Sequence, residues 1–203
     1  MSETFAEQRR EFVSARRQAF MASAAKTLSE RGIDLAKMND IAAEAGIAKV
    51  VLYRYFGSKE KLVHAILYDI VDQILTADAA DHIWWTDRVR NTLEIARKHK
   101  SALILLVRNA AHHPVYAEHF ERLKSEISRR VDDRVGTVLA GKKPITGATS
   151  FLSEAITTFF FTAYLRWLEN DADEDDDAFF QWVTNSVRAM SYYWHHENPP
   201  PLT

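Results

Sequence analysis

The sequence predicts an all-α protein. Glycine and proline are scarce, 6 and 5 in 203 residues, and three of the prolines stand together at Pro199, Pro200 and Pro201. Between these breakers run long stretches of Ala, Leu, Glu, Lys and Arg, the better helix formers. Apolar residues recur every three or four positions, and no segment alternates with period two long enough to make a strand.

Each element follows from that periodicity. A first helix is expected over about 7–31, where Phe20, Ala24 and Leu28 share a face and Gly32 stands at the C′ position. A short helix fits Met38 to Ala45, with Ile41, Ala42 and Ala45 on one side and Gly46 to break it. Another fits Lys49 to Phe56, with Leu52 and Phe56 at i and i+4, ended by Gly57. Ser58 can cap a fourth helix from Lys59 to about Ala77, with Lys61 rather than Glu at N3. Leu62, Ile66, Ile70 and Ile74 give that helix a four-residue stripe.

After a break around Asp78 to Asp87, Val89, Leu93 and Ala96 mark a fifth helix. Ala102 to Ala111 is apolar nearly all round, which reads as buried, and Pro114 stops it. A long helix with a polar face follows from Val115 to Leu139. Gly141 to Gly147 reads as a linker. Ala148 to Leu168 and Phe179 to Trp194 are the last two helices, both rich in aromatics.

Composition bounds the function. Hydrophobic residues at 47% and charged residues at 27% describe a packed chain rather than a disordered one. There is no Cys, hence no disulfide and no thiolate metal site, a pattern compatible with the cytoplasm. The polar, charged start is not a secretory signal. The longest strictly apolar stretch, Ala102 to Val107, is far short of a membrane span. Net charge is −2, but the first 70 residues carry eleven Lys and Arg against nine Asp and Glu, so the basic excess lies there. G-x-S-x-G, G-x-G-x-x-G, P-loop and H-E-x-x-H patterns are absent; no enzyme, cofactor or metal is expected.

The informative stretch is Met38 to Leu62, MNDIAAEAGIAKVVLYRYFGSKEKL. Two helices of about eight residues meet at a glycine-containing turn, the helix-turn-helix arrangement whose second helix enters a major groove. Ile41, Ala42, Ile47, Leu52 and Phe56 form the small core that fixes the interhelical angle. Lys49, Val50, Val51, Tyr53 and Tyr55 are left to face outward. With Lys37, Asn39, Arg54 and Lys59 they make the expected DNA-contacting set, Tyr53 and Lys59 on phosphates and Lys49, Val50 and Val51 toward bases.

Residues 17–67 resemble the N-terminal domain of TetR-type, tetracycline-repressor-like regulators. The matching pieces are Ala24, Leu28 and Gly32; Ile41-Ala42 and Ala45-Gly46-Ile47; Leu52-Tyr53 with Tyr55-Phe56; and Ser58-Lys59-Glu60 with Leu62. The resemblance implies about nine helices, a two-fold dimer and a C-terminal domain that binds a small effector. It implies a ligand-responsive repressor of a palindromic operator on double-stranded DNA. The chain departs from the family at Ala36-Lys37 and Ala48, where Ser or Thr is usual, and at Val50 and Val51. Two valines favour contact with thymine methyl groups over hydrogen-bonded readout. The division expected is a DNA-binding domain at 1–57, a connecting helix at 58–77 and a ligand-binding and dimerisation domain at 78–198. The alternative is an effector-binding adaptor whose helix-turn-helix contacts protein.

Weaker signals remain. Seven carboxylates crowd 169–177, but Asp176 and Trp182 stand where a calcium loop needs Gly and Glu, so a solvated loop is the better reading. The adjacent pairs His112-His113 and His195-His196 point about 100° apart on a helix and do not chelate one ion easily. An apolar cavity, filled by a largely hydrophobic effector, is expected among the helices around 89–111, 115–139 and 148–168, with Arg108, His112, Phe151, Phe159 and Tyr164 as ligand contacts. The last two helices are apolar on more than one face, so a homodimer through Phe160, Trp167, Phe179, Trp182, Met190 and Trp194 is expected.

Overall fold

The computed structural model describes residues 2–80, 84–138, 149–170 and 175–194. Among these the regular elements are helical: α1 (Ser2–Arg31), α2 (Met38–Glu44), α3 (Lys49–Phe56), α4 (Lys59–Ala79), α5 (Trp85–Lys98), α6 (Lys100–Ile104), α7 (Ala117–Val138), α8 (Thr149–Glu169) and α9 (Asp176–Trp194). The linker expected at 141–147, the pair His195-His196 and residues 171–174 of the acidic run lie outside the described residues.

Several elements differ from expectation, and α1 begins earlier, at Ser2. α4 runs on to Ala79, and α5 begins at Trp85, so the break between them is shorter than 78–87. The apolar segment after Ala102 is not one regular helix. α6 passes at Leu105 into a π-helical turn, Leu105–Ala110, in which the Ala111 N–H reaches the Leu106 carbonyl at 3.0 Å. Periodicity does not reveal such a turn, because a segment apolar on every side carries no stripe from which to read its pitch.

The chain packs as two compact units. One comprises Met1–Val71 with His99–His119, the other Asp72–Lys98 with Phe120–Thr203. Residues 99–119, read from sequence as part of the body, therefore belong with the helix-turn-helix, where α6 and the π turn pack on α1. Leu28, Ile41, Leu52, Leu62, Leu103, Leu105 and Leu106 are fully buried, and each gains about 25 cal/mol per Å² of apolar surface removed from water. Ion pairs on the rim tie α1 to α2: Lys26 to Glu44 at 2.6 Å and Arg31 to Asp40 at 3.2 Å.

In the second unit Val131, Leu152, Ile156 and Val187 form a core against which Trp85, Ile127, Phe159, Phe160, Met190 and Trp194 pack. The Trp167 and Phe179 rings stack at 4.7 Å, and the Arg97 guanidinium lies 3.9 Å from the Trp167 ring centroid. Both rings are buried within this unit, which removes them from the expected dimer interface: a side chain already sheltered has little area left to cover.

Asp78, in the last turn of α4, is the buried carboxylate among the described residues of this unit. Arg134 grips it with both Nη atoms, at 3.0 and 2.6 Å, and Arg130 adds a bond at 3.0 Å. Arg130 also donates to the Leu75 carbonyl at 2.8 Å and to Glu126 at 2.8 Å. Burial raises the Asp78 carboxyl's pKa, but the hydrogen bonds from Arg134 and Arg130 outweigh it and hold it below the usual carboxylate range. Hydrogen bonds from Arg129 and Arg130 bring Glu126 down to about 2.

Asp78→Asn removes the anion that Arg134 and Arg130 share, although Arg130 keeps Glu126. Because Arg134 is one-third exposed, the expected loss lies at the low end for a broken buried pair, about 3 kcal/mol in urea unfolding. Both carboxylates titrate lower folded than unfolded. Their stabilisation is therefore complete above the unfolded value of about 4 and declines as pH falls toward 2. The Asn variant should show a shallower decline of stability over that window.

Candidate nucleic-acid interface

The interface is built on α2, the turn after it, and α3. The Asp40 carboxylate accepts a hydrogen bond from the Lys37 backbone N–H at 2.9 Å and so closes the start of α2 from within. At the other end Gly46 has φ +64°, with its N–H bonded to the Ala43 carbonyl at 3.1 Å and the Ile47 N–H bonded to Ala42 at 3.0 Å. That pair of bonds is a Schellman motif, and it sets the chain's direction into α3. α3 starts at Ala48 without a side-chain cap, as the missing Ser implies. Gly57, at φ +79°, ends it with a bond to the Tyr53 carbonyl at 2.8 Å. Ser58 then caps α4 through the Lys61 N–H at 3.1 Å.

α3 has two sides. Leu52 and Phe56 are buried, while Lys49, Val50, Tyr53 and Arg54 are exposed, Val50 by 71%. The Lys49 ammonium lies 5.6 Å from the Tyr53 ring centroid. Lys37 and Asn39 are also exposed at the start of α2, and Val51 is half-buried. Two expected contacts sit differently. Tyr55 is half-buried, its ring edge-on to Phe20 at 5.1 Å, so it belongs largely to the packing of α3 on α1. Lys59 is half-buried and donates to the Asp34 carbonyl at 3.2 Å, which pins the α1–α2 turn; its ammonium is not free, as the sequence reading supposed.

The expected ligand residues are scattered. Arg108 and His112 are exposed in the first unit. Phe151, Phe159 and Tyr164 fall in the second, so neither unit by itself assembles the five. Phe151 is 61% exposed and stacks on Trp194 at 5.3 Å. Tyr164 is buried, its hydroxyl 3.2 Å from Thr92 Oγ1, and burial pushes the phenol's pKa well up. The second unit holds an open groove of about 780 Å³ along α4 and α7, lined by Asp72, Leu75, Thr76, Arg122, Glu126 and Arg130 among others. It is more polar than the cavity expected, and α4, not α8, forms its second wall. Among the described residues, the histidines brought together are His64 and His119, 55 residues apart, beyond the reach of any local motif.

Comparison with known proteins agrees with this geometry. Residues 20–66 match the family of bacterial regulatory proteins described as the tetR family. The chain is 31% identical over 99 residues to the HTH-type transcriptional regulator YvdT of Bacillus subtilis, itself uncharacterized, covering 45% of this chain and 51% of that protein. It spans about half the length of the curated relatives it matches. A TetR-like regulator from Rhodococcus sp. RHA1 superposes with TM-score 0.69 at 18% identity, over 87% of this chain and 93% of that one. AibR, solved with isovaleryl coenzyme A and operator DNA, superposes with TM-score 0.60 at 17% identity, over 85% and 97%. The helix-turn-helix, residues 20–66, is thus of the tetR-family type, and the solved neighbours share the fold of the chain.

Gly46→Ala tests the turn. A methyl group there would meet nothing within 4 Å, so the penalty is backbone strain alone. The expected loss is about 1–2 kcal/mol in thermal or urea unfolding, with DNA binding weakened through the altered angle of α3. An unchanged midpoint would show that the turn tolerates another conformation.

Proposed function

We propose that the chain is a DNA-binding transcriptional regulator that reads a palindromic operator as a homodimer and is released from it by a small, largely apolar effector. The observation that carries the reading is α3 itself, a short helix anchored by buried Leu52 and Phe56 that presents Lys49, Val50, Tyr53 and Arg54 to solvent within a tetR-family domain. In a major groove Arg54 and Tyr53 would meet phosphates, while Lys49 and the valines would face bases, the valines meeting thymine methyl groups. Dimerisation is supported by Phe151, Trp182 and Tyr193, large aromatics more than half exposed on α8 and α9, an apolar edge that a second copy would cover. Effector release is supported by the family resemblance and by AibR, whose structure holds both an acyl coenzyme A and operator DNA. α4 supplies a route, since this one helix contributes residues to both compact units. A tilt of α4 would move the recognition helices off half-sites spaced about 34–36 Å apart.

Selection from random-sequence DNA followed by competition binding tests the reading. Arg54→Ala should weaken all sequences alike and flatten the log–log salt dependence by about 0.9 per half-site. Val50→Ala should act only at particular base pairs, at about 1–3 kcal/mol where a thymine methyl loses its partner. Failure to select any sequence would overturn the proposal. Trp182→Asp should shift sedimentation toward a monomer at micromolar concentration, the change counting twice in a two-fold interface.

A further inference from the structure

We propose that His64, Glu118 and His119 form a site for a divalent transition-metal ion of the zinc type. His64 projects from the second turn of α4, and Glu118 and His119 from the first turn of α7; all three lie within the first compact unit. His64 Nδ1 and His119 Nε2 are 2.8 Å apart, and Glu118 Oε1 lies 3.9 Å from each. In the plane of a triangle with those sides one point lies about 2.1 Å from all three corners, the bond length zinc takes to imidazole nitrogen and carboxylate oxygen; an ion that leaves this plane to take a fourth ligand would part the two nitrogens by about half an ångström. An ordinary hydrogen bond accounts for the 2.8 Å separation of the two nitrogens. It does not account for a carboxylate oxygen equidistant from both.

The surroundings suit an ion that exchanges with solvent. His119 is buried, and the Tyr116 ring, also buried, lies 5.0 Å from His64, so the inner side of the site is fixed by packing. The Glu118 side chain is 71% exposed and leaves an entry path. The neighbouring His113 is turned to Asp34, 3.3 Å from its carboxylate, so it stands apart from the triad. Two imidazoles and one carboxylate select zinc, nickel, cobalt or copper over magnesium or calcium, which prefer all-oxygen sites. Three protein ligands leave a fourth position for water or an exogenous anion. Bound there, the ion would join the start of α4 to the start of α7 by coordination bonds.

The test uses the full chain, stripped with a chelator, dialysed, and titrated with zinc chloride by calorimetry and with cobalt chloride by visible absorption. The expected result is one ion per chain and, with cobalt, the intense d–d bands of a four-coordinate site. Glu118→Gln, at an exposed position that does not endanger the fold, and His64→Gln should each raise the Kd for zinc by at least about 100-fold, more than the loss of an outer-shell partner brings. His119→Gln should do the same, with circular dichroism to confirm that the variant folds. Absence of stoichiometric binding would overturn the site. Binding that survives unchanged in Glu118→Gln and His64→Gln would overturn it too, by placing the ion on other histidines.

Discussion

An eight-residue helix cannot hold itself in water. Its nucleation penalty exceeds what one or two turns of hydrogen bonds return, so α3 exists only because Leu52 and Phe56 are sealed in the core of the first unit. Everything about the candidate interface depends on that anchoring. It fixes which residues are outside, and the Schellman turn at Gly46 and the short exit at Gly57 fix the direction in which they point. α1 is the platform, and its rim ion pairs to α2 add little energy at exposed positions but restrict sliding.

The second unit manages polarity differently. Among its described residues one carboxylate, Asp78, is buried, and two arginines from α7 converge on it. Such a cluster is weak as a source of stability but strong as a specifier, since a charge buried without its partner is far worse than no charge at all. It joins the last turns of α4 to α7 by hydrogen bonds from two arginines. The groove along those helices shares Arg130 and Glu126 with the cluster, so a ligand there would touch residues that also hold the helices in place.

Much of this was legible in the sequence because it is local. The i, i+4 pairs and the glycines at 32, 46 and 57 gave the helices of the head and their ends, and Ser58 announced its own cap. The tetR resemblance rests on those same residues. What was not legible is what depends on distant partners. Tyr55 and Lys59 lie in a stretch that faces outward by pattern, yet Phe20 and the Asp34 carbonyl claim them. Trp167 and Phe179 looked like interface because aromatics cover more than one face of their helices; their stacking on each other shows that a helix pair can satisfy two faces internally. His64 and His119 carry no spacing signal, and only the packing of α7 beside α4 brings them together.

The π-helical turn at Leu105–Ala110 carries a consequence for how this segment tolerates change in length. A π turn holds one residue more than an α turn of similar rise, so it behaves as an accommodated insertion. Removing one residue within it would restore an ordinary helical frame upstream of Ala111, whereas adding one would strain it further. The segment should therefore be asymmetric toward indels, with deletions absorbed and insertions resisted. A deletion so absorbed leaves the residues that follow in phase with α6, and His113 keeps its place beside Asp34; an insertion that is not absorbed rotates them by about a quarter turn. Loss of one residue at this point spares the α6–α7 corner, whereas gain of one re-aims it without altering any side chain in it.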